Sequence, residues 1–362
     1  MQERATIFDI TRASSPPHPA LSPSTRRGRG KKNARRNGCI RRPKWARFPP
    51  MAASAESTPR ERLLAGLGLL VTSLCWGSMV PTTANLLAAV DPFFLAASRY
   101  LVAVPALAVA VLLTERGRRW PAYLPWGPIF LLGAFGMGGW ATCITLGVYF
   151  SDPITATAIS AVSPVLAAVL ARIFDHRPLT VAAYIGMALA VVGGLVVALF
   201  KPGQALALGF RGGEFIILFG ICLWTLYSIK AQHWLAPLGL SQLRVTLLTA
   251  SAAAVGLWLI FFVGILVGYA EPPTEIPTAH TLIELLWLGI GPTALGVVFW
   301  NYGISRLGVA IASLYTNLAP VISVGLAVLL LGTETTAMQI IGGIVVLAGV
   351  IWMQLYGLKA TR

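Results

Sequence analysis

The chain has 362 residues, of which 56% are hydrophobic and only 11% charged, with a formal net charge of +15. Soluble domains carry about 25% charged residues, so this composition excludes a soluble enzyme, a disordered protein and a collagen-like fibre, and points to a polytopic membrane protein. The basic excess is not a nucleic-acid signal, because residues 1–62 hold 15 Lys/Arg against 4 Asp/Glu and the rest of the chain is close to balanced.

Residues 1–60 form a basic tail rich in Arg, Lys, Pro and Ser, without the aliphatic periodicity needed to bury a core. Three readings of it stand open. It is a polybasic arm drawn to anionic lipid at roughly 1 kcal/mol per basic residue, or an Arg- and Ser-rich transit-like peptide, or a stretch upstream of a true start at Met51. The last is favoured, because Met51 opens a short polar lead into an apolar helix.

From Leu63 onward, runs of about 20 apolar residues, each enough to cross a ~30 Å hydrocarbon core, predict ten spans. They lie near Leu63–Val80, Pro92–Leu113, Trp126–Val148, Ile154–Ile173 and Leu179–Leu199 in the first half. In the second half they lie near Gly212–Ile229, Val245–Val267, Leu282–Ile304, Val309–Leu331 and Ala337–Tyr356. After residue 62, the loops on the N-terminal side and the C-terminal tail hold Arg116, Arg118, Arg119, Arg172, Arg177, Lys230, Arg244, Arg306, Lys359 and Arg362. The opposite side holds Lys201 and Arg211. Positive residues favour the cytoplasmic face, so both termini are expected in the cytoplasm.

The halves resemble each other. An offset of 156 carries Gly147, Pro164, Gly186 and Gly193 onto Gly303, Pro320, Gly342 and Gly349. Smaller offsets pair Trp76 with Trp224 and Arg99 with Arg244. Two repeats of five spans must insert with opposite orientation. The expected fold is therefore an all-α polytopic membrane protein of ten helices in two inverted five-helix repeats, at residues 61–200 and 209–357. That is a plan of secondary transporters, with the site near the midplane between halves.

Short words in order along the chain carry a resemblance. Leu74-Cys75-Trp76-Gly77-Ser78 is followed by Ala96-Ala97-Ser98-Arg99-Tyr100-Leu101. Later come Ala161-Val162-Ser163-Pro164-Val165, Leu318-Ala319-Pro320-Val321 and Gly332-Thr333-Glu334. Over about residues 61–356 the sequence resembles the EamA family of the drug/metabolite transporter superfamily. The resemblance implies a multi-pass protein of the inner or plasma membrane that exports or exchanges small metabolites. The family commonly has a Glu before the last helix of each repeat. Glu334 supplies it in the second, but Pro178 stands at the first-half position.

Arg99 is the clearest charge inside a span, about 12 Å deep at 1.5 Å per residue. It is either a cationic contact for an anionic or zwitterionic substrate or a structural Arg that satisfies carbonyls or snorkels. Asp91, Asp152, Glu214, Glu284 and Glu334 all lie at span ends or in loops, which argues for exchange or facilitated diffusion over carboxylate-driven proton coupling. Trp76, Asn85, Tyr149, Trp224, Tyr227, Asn301, Tyr315 and Asn317 lie in or beside spans and are candidates to line a cavity, with cross-helix gluing as the alternative. Pro164 and Pro320 are hinge candidates, with family-wide kinks as the alternative.

No HExxH, P-loop or intramembrane acid pair marks an enzyme. The four cysteines are dispersed without a CxxC, so no metal and no cofactor is expected. The leading expectation is a secondary transporter of small organic solutes such as amino acids, working by alternating access in the cell membrane as a monomer or homodimer. The alternative is a non-transporting membrane scaffold or sensor.

Overall fold

A computed structural model describes residues 58–150, 159–160, 162–175, 180–200, 212–273, 277–319, 321–322, 336–352 and 356. All of them belong to one unit, Phe48–Arg362, and none of them is in a strand. The basic tail, Pro320 and Glu334 lie outside the described residues.

The helices begin where the chain supplies a cap. Helix α1 (Pro59–Leu86) opens on a capping box: the Thr58 hydroxyl accepts from the Glu61 amide, and the Glu61 carboxylate accepts from the Thr58 amide. Helix α2 (Pro92–Thr114) is capped by the Asp91 carboxylate, which accepts from the Phe93 and Phe94 amides, with Pro92 at the first position where no N–H is needed. Helix α3 (Trp126–Phe150) follows. Helices α4 (Ser163–Asp175) and α5 (Val181–Leu199) are shorter. The second half holds α6 (Gly213–Trp234), α7 (Gln242–Leu266), α8 (Ala279–Leu307), α9 (Val309–Thr316) and α10 (Ala337–Trp352). Ser241 caps α7 and Thr278 caps α8 in the same way.

Among the described residues, six helices, α1–α3 and α6–α8, are long and apolar enough to cross a membrane. Their outer surfaces carry large apolar side chains. Leu266 is 84% exposed, Phe215 71% and Phe135 63%. An apolar exterior of this extent suits lipid rather than water.

Helices α3 and α8 share one local distortion. Each contains a π-helical stretch, Leu131–Gly138 and Gly289–Leu295. In α8 the cause is visible: Pro292 has no N–H to give the backbone ladder. The Thr293 hydroxyl donates to the Leu288 carbonyl, five residues back. A widened turn leaves carbonyls that side chains from other helices can take, and the Trp76 indole N–H takes that of Pro292 at 3.1 Å.

Packing joins the halves directly. Helix α1 lies against α8, α3 against α6, α2 against α7, and α5 against α10. Close approach is set by glycines, and the contacts come in exchanged pairs. A Cβ on Gly193 would fall 2.6 Å from the Gly342 carbonyl oxygen, and one on Gly349 would fall 2.9 Å from that of Gly186. Gly147 faces Ile217, and Gly303 faces Leu69. Gly133 faces the Thr249 carbonyl, and Gly289 faces that of Arg99. By this last pair of contacts the partner of Arg99 across the repeat is Thr249. These contacts set Arg99 against Thr249 rather than against Arg244, the residue that the sequence offset suggested.

Candidate functional site

Where α1, α3, α6 and α8 meet, each contributes one tryptophan: Trp76, Trp140, Trp224 and Trp300. All four are buried. The ring centroids of Trp140 and Trp224 are 4.7 Å apart, those of Trp76 and Trp300 5.2 Å, and those of Trp76 and Trp224 5.4 Å. Tyr227, one turn on from Trp224, continues the cluster at 5.1 Å. The large shared aromatic area and the tilted geometries favour this arrangement. It sits where the two halves of the chain touch.

On the second-half side the polar groups around Asn301, Tyr227 and Trp300 are satisfied, whereas the Trp224 indole N–H is not. The Asn301 amide donates to the Tyr227 hydroxyl at 3.0 Å and to the Thr246 hydroxyl at 2.9 Å. The Tyr227 hydroxyl lies 3.2 Å from that of Thr249. The Trp300 indole N–H donates to the Ser228 hydroxyl at 2.9 Å. Such a network specifies one arrangement of α6, α7 and α8.

On the first-half side stands Arg99 of α2, 2% exposed. Its guanidinium carbon lies 5.6 Å from the ring centroids of both Trp140 and Tyr100. One Nη reaches only the Met79 sulfur, at 3.8 Å. Among the described residues, Nε and the other Nη have no hydrogen-bond partner. The same holds for the Trp224 indole N–H and the Tyr100 hydroxyl. A buried cation without a carboxylate is costly, and aromatic faces compensate only in part.

Arg244 is a buried arginine of the opposite kind. Its Nε lies 2.7 Å from the Glu115 carboxylate, its two Nη groups donate to the Arg118 and Arg119 carbonyls at 2.8 and 3.0 Å, and it stacks on Trp120. Every part of it ties the end of α2 to the start of α7. The sequence reading held Arg99 to be the one clear buried charge. The fold adds Arg244 and also Glu214, which is 1% exposed at the start of α6. The loop residues Arg118, Arg119 and Trp120 cover Arg244, so depth along a span understated its burial.

The remaining candidates are scattered. Asn85 is exposed and donates to the Glu284 carboxylate at 2.8 Å, at the end of α1. Tyr149 is 55% exposed and packs on Phe150, facing outward. Tyr315 and Asn317 are buried near α1, where the Tyr315 carbonyl accepts from the Ser73 hydroxyl at 2.6 Å. Pro164 lies in the first turn of α4, where its missing N–H costs the helix no bond. Trp140, Trp300, Tyr100 and Glu115 were missed. A usable signal existed for the first two: a belt tryptophan sits at a span end, whereas Trp140 and Trp300 lie well inside α3 and α8.

The model of the EamA-like transporter family matches the chain twice, over residues 63–199 and 211–355. The chain is 28% identical over 282 residues to the probable terminal-alkyne amino-acid exporter of Streptantibioticus cattleyicolor, covering 78% of this chain and 90% of that protein. It is 25% identical over 265 residues to the uncharacterized transporter YyaM of Bacillus subtilis, covering 72% of this chain and 84% of that protein. A crystal structure of a protein 21% identical to this one superposes with a TM-score of 0.67, over 84% of this chain and all of the other. With both halves matched by one family, and with its apolar exterior, this chain is a multi-pass membrane protein that belongs to the EamA-like transporter family.

Proposed function

We propose that the protein is a secondary transporter, an exporter or exchanger of small organic solutes such as amino acids or related amphipathic molecules. It works by alternating access between two inverted five-helix repeats, residues 61–200 and 209–357. The ten spans set both termini in the cytoplasm of a cell whose surface membrane holds the protein, as a monomer or homodimer. A two-fold relation between the repeats is supported by the exchanged contacts Gly193–Gly342 and Gly349–Gly186, and an odd number of spans per repeat makes that relation an inversion. The printed name of the Streptantibioticus relative as a probable amino-acid exporter supports the solute class.

The observation that carries the reading is the aromatic cluster itself. Trp76 and Trp140 come from the first half, Trp224 and Trp300 from the second, and unsatisfied donors sit beside them. A site shared by two halves is one that their relative motion opens and closes. Trp76, Arg99, Trp224, Tyr227 and Asn301 form the lining, with Tyr315 and Asn317 behind it. Pro164 and Pro320 are the hinges.

The test is solute counterflow in proteoliposomes with a panel of amino acids, nucleobases, polyamines and organic acids. Saturable flux of at least one solute is expected. Movement of none favours a scaffold or sensor.

A further inference from the structure

The two sides of the aromatic cluster differ in charge and in hydrogen-bonding sign. Around the Trp140–Trp224 contact, the described groups without a partner include three N–H donors: Arg99 Nε, Arg99 Nη and Trp224 Nε1. The Tyr100 hydroxyl beside them can donate as well. The Tyr100 hydroxyl is a neutral acceptor that interacts with Arg99, and the other acceptors nearby are engaged. Asn301 Oδ1 accepts from the Tyr227 hydroxyl, the Ser228 hydroxyl from Trp300, and the Pro292 carbonyl from Trp76. What is missing is an acceptor that carries charge.

Charge balance narrows the ligand further. The cluster holds one guanidinium, and among the described residues no carboxylate forms an ion pair with it. A ligand of charge −1 leaves the buried complex neutral. A zwitterion leaves it at +1, and its ammonium must share tryptophan faces already occupied by Arg99, which lies over Trp140. A cation doubles the like charge. Carboxylate matches a guanidinium in geometry as well as in sign.

We infer that this cluster binds a net-monoanionic carboxylate with a flat apolar body: the carboxylate on Arg99, with Trp224 Nε1 as a further donor, and the body on the tryptophan faces. The inference rests on the transporter reading and, within its related amphipathic molecules, selects carboxylates whose amino group is absent or acylated over free amino acids.

The test uses the purified full chain at pH 7.5 and four probes with one phenyl body. These are 3-phenylpropionate (anion), phenylalanine (zwitterion), phenethylamine (cation) and 3-phenylpropanol (neutral), titrated by calorimetry. The anion is expected to bind at least tenfold tighter than the other three. Arg99→Gln should erase that preference, and Arg99→Lys should keep part of it. Each variant is first shown to elute as a monodisperse peak with unchanged helical content. Equal or tighter binding of phenylalanine or phenethylamine overturns the inference, as does a preference that survives Arg99→Gln or binding of no probe. Counterflow separates this from failure of the transporter reading. A carboxylate that binds but never crosses sinks the transporter and leaves the site. Zwitterion flux indifferent to Arg99→Gln sinks the site and leaves the transporter.

Discussion

The first-half and second-half flanks of the tryptophan cluster occupy corresponding places in the fold but are chemically unlike. On one flank Arg99 reaches Met79. On the other, Thr249, the residue matched to Arg99 by the glycine contacts, reaches Tyr227. Met79 and Tyr227 are themselves separated by the same 148 positions as Trp76 and Trp224. One contact is thus a neutral hydrogen bond inside a closed network. The other is a cation against a thioether. One flank thus holds a satisfied neutral network and the other a buried arginine with unpartnered donors. Arg244 sharpens the contrast, being as buried as Arg99 yet saturated by Glu115 and two carbonyls.

The largest expected effect of breaking this contrast is on flux. Arg99→Gln should lower counterflow of an accepted solute by more than about tenfold, equivalent to ~1.4 kcal/mol or more. Thermal unfolding in detergent should stay at or above the native value, because an uncompensated buried charge is gone. A fall in abundance matching the fall in flux would instead make Arg99 structural. Glu115→Ala should do the reverse. Stranding Arg244 costs about 3–5 kcal/mol of stability, read as a lower unfolding midpoint. The double variant Glu115→Ala/Arg244→Met should recover part of it.

Gly193→Ala and Gly349→Ala test the equivalence of the halves through the α5–α10 contact. Each adds a methyl where a carbonyl already sits within 3 Å. Each should cost about 1–3 kcal/mol, and a large inequality between them would mean that the two contacts do not correspond. The smallest expected effect is that of Tyr227→Phe, which removes the hydroxyl shared by Asn301 and Thr249. It should cost about 1 kcal/mol with the anion preference intact, measured by thermal unfolding and the phenyl-probe titration.

Much of the helical layout was legible beforehand. The long spans predicted near Pro92–Leu113, Trp126–Val148 and Val245–Val267 correspond to α2, α3 and α7, because an uninterrupted apolar run bounded by Asp-Pro or charged turns has few other options. Trp76, Trp224, Tyr227, Asn301 and Arg99 were legible as residues unusual for their depth. Tyr149 and Asn85 passed the same filter and failed to join them, since one faces outward and the other pairs with Glu284. Depth along a helix can be counted from the chain; the direction in which a side chain points depends on what the neighbouring helix presents.

Composition and periodicity alone determined a membrane-embedded helical chain with a duplicated pattern, because each apolar run must satisfy its own backbone in lipid. The tertiary structure decided which of several buried polar residues meet, and it separated two arginines that look alike in the sequence. Arg244 found its counter-charge in Glu115, a residue more than a hundred positions away at the end of α2. Arg99 was left facing tryptophans, and only packing between distant segments settles whether a buried charge is already answered.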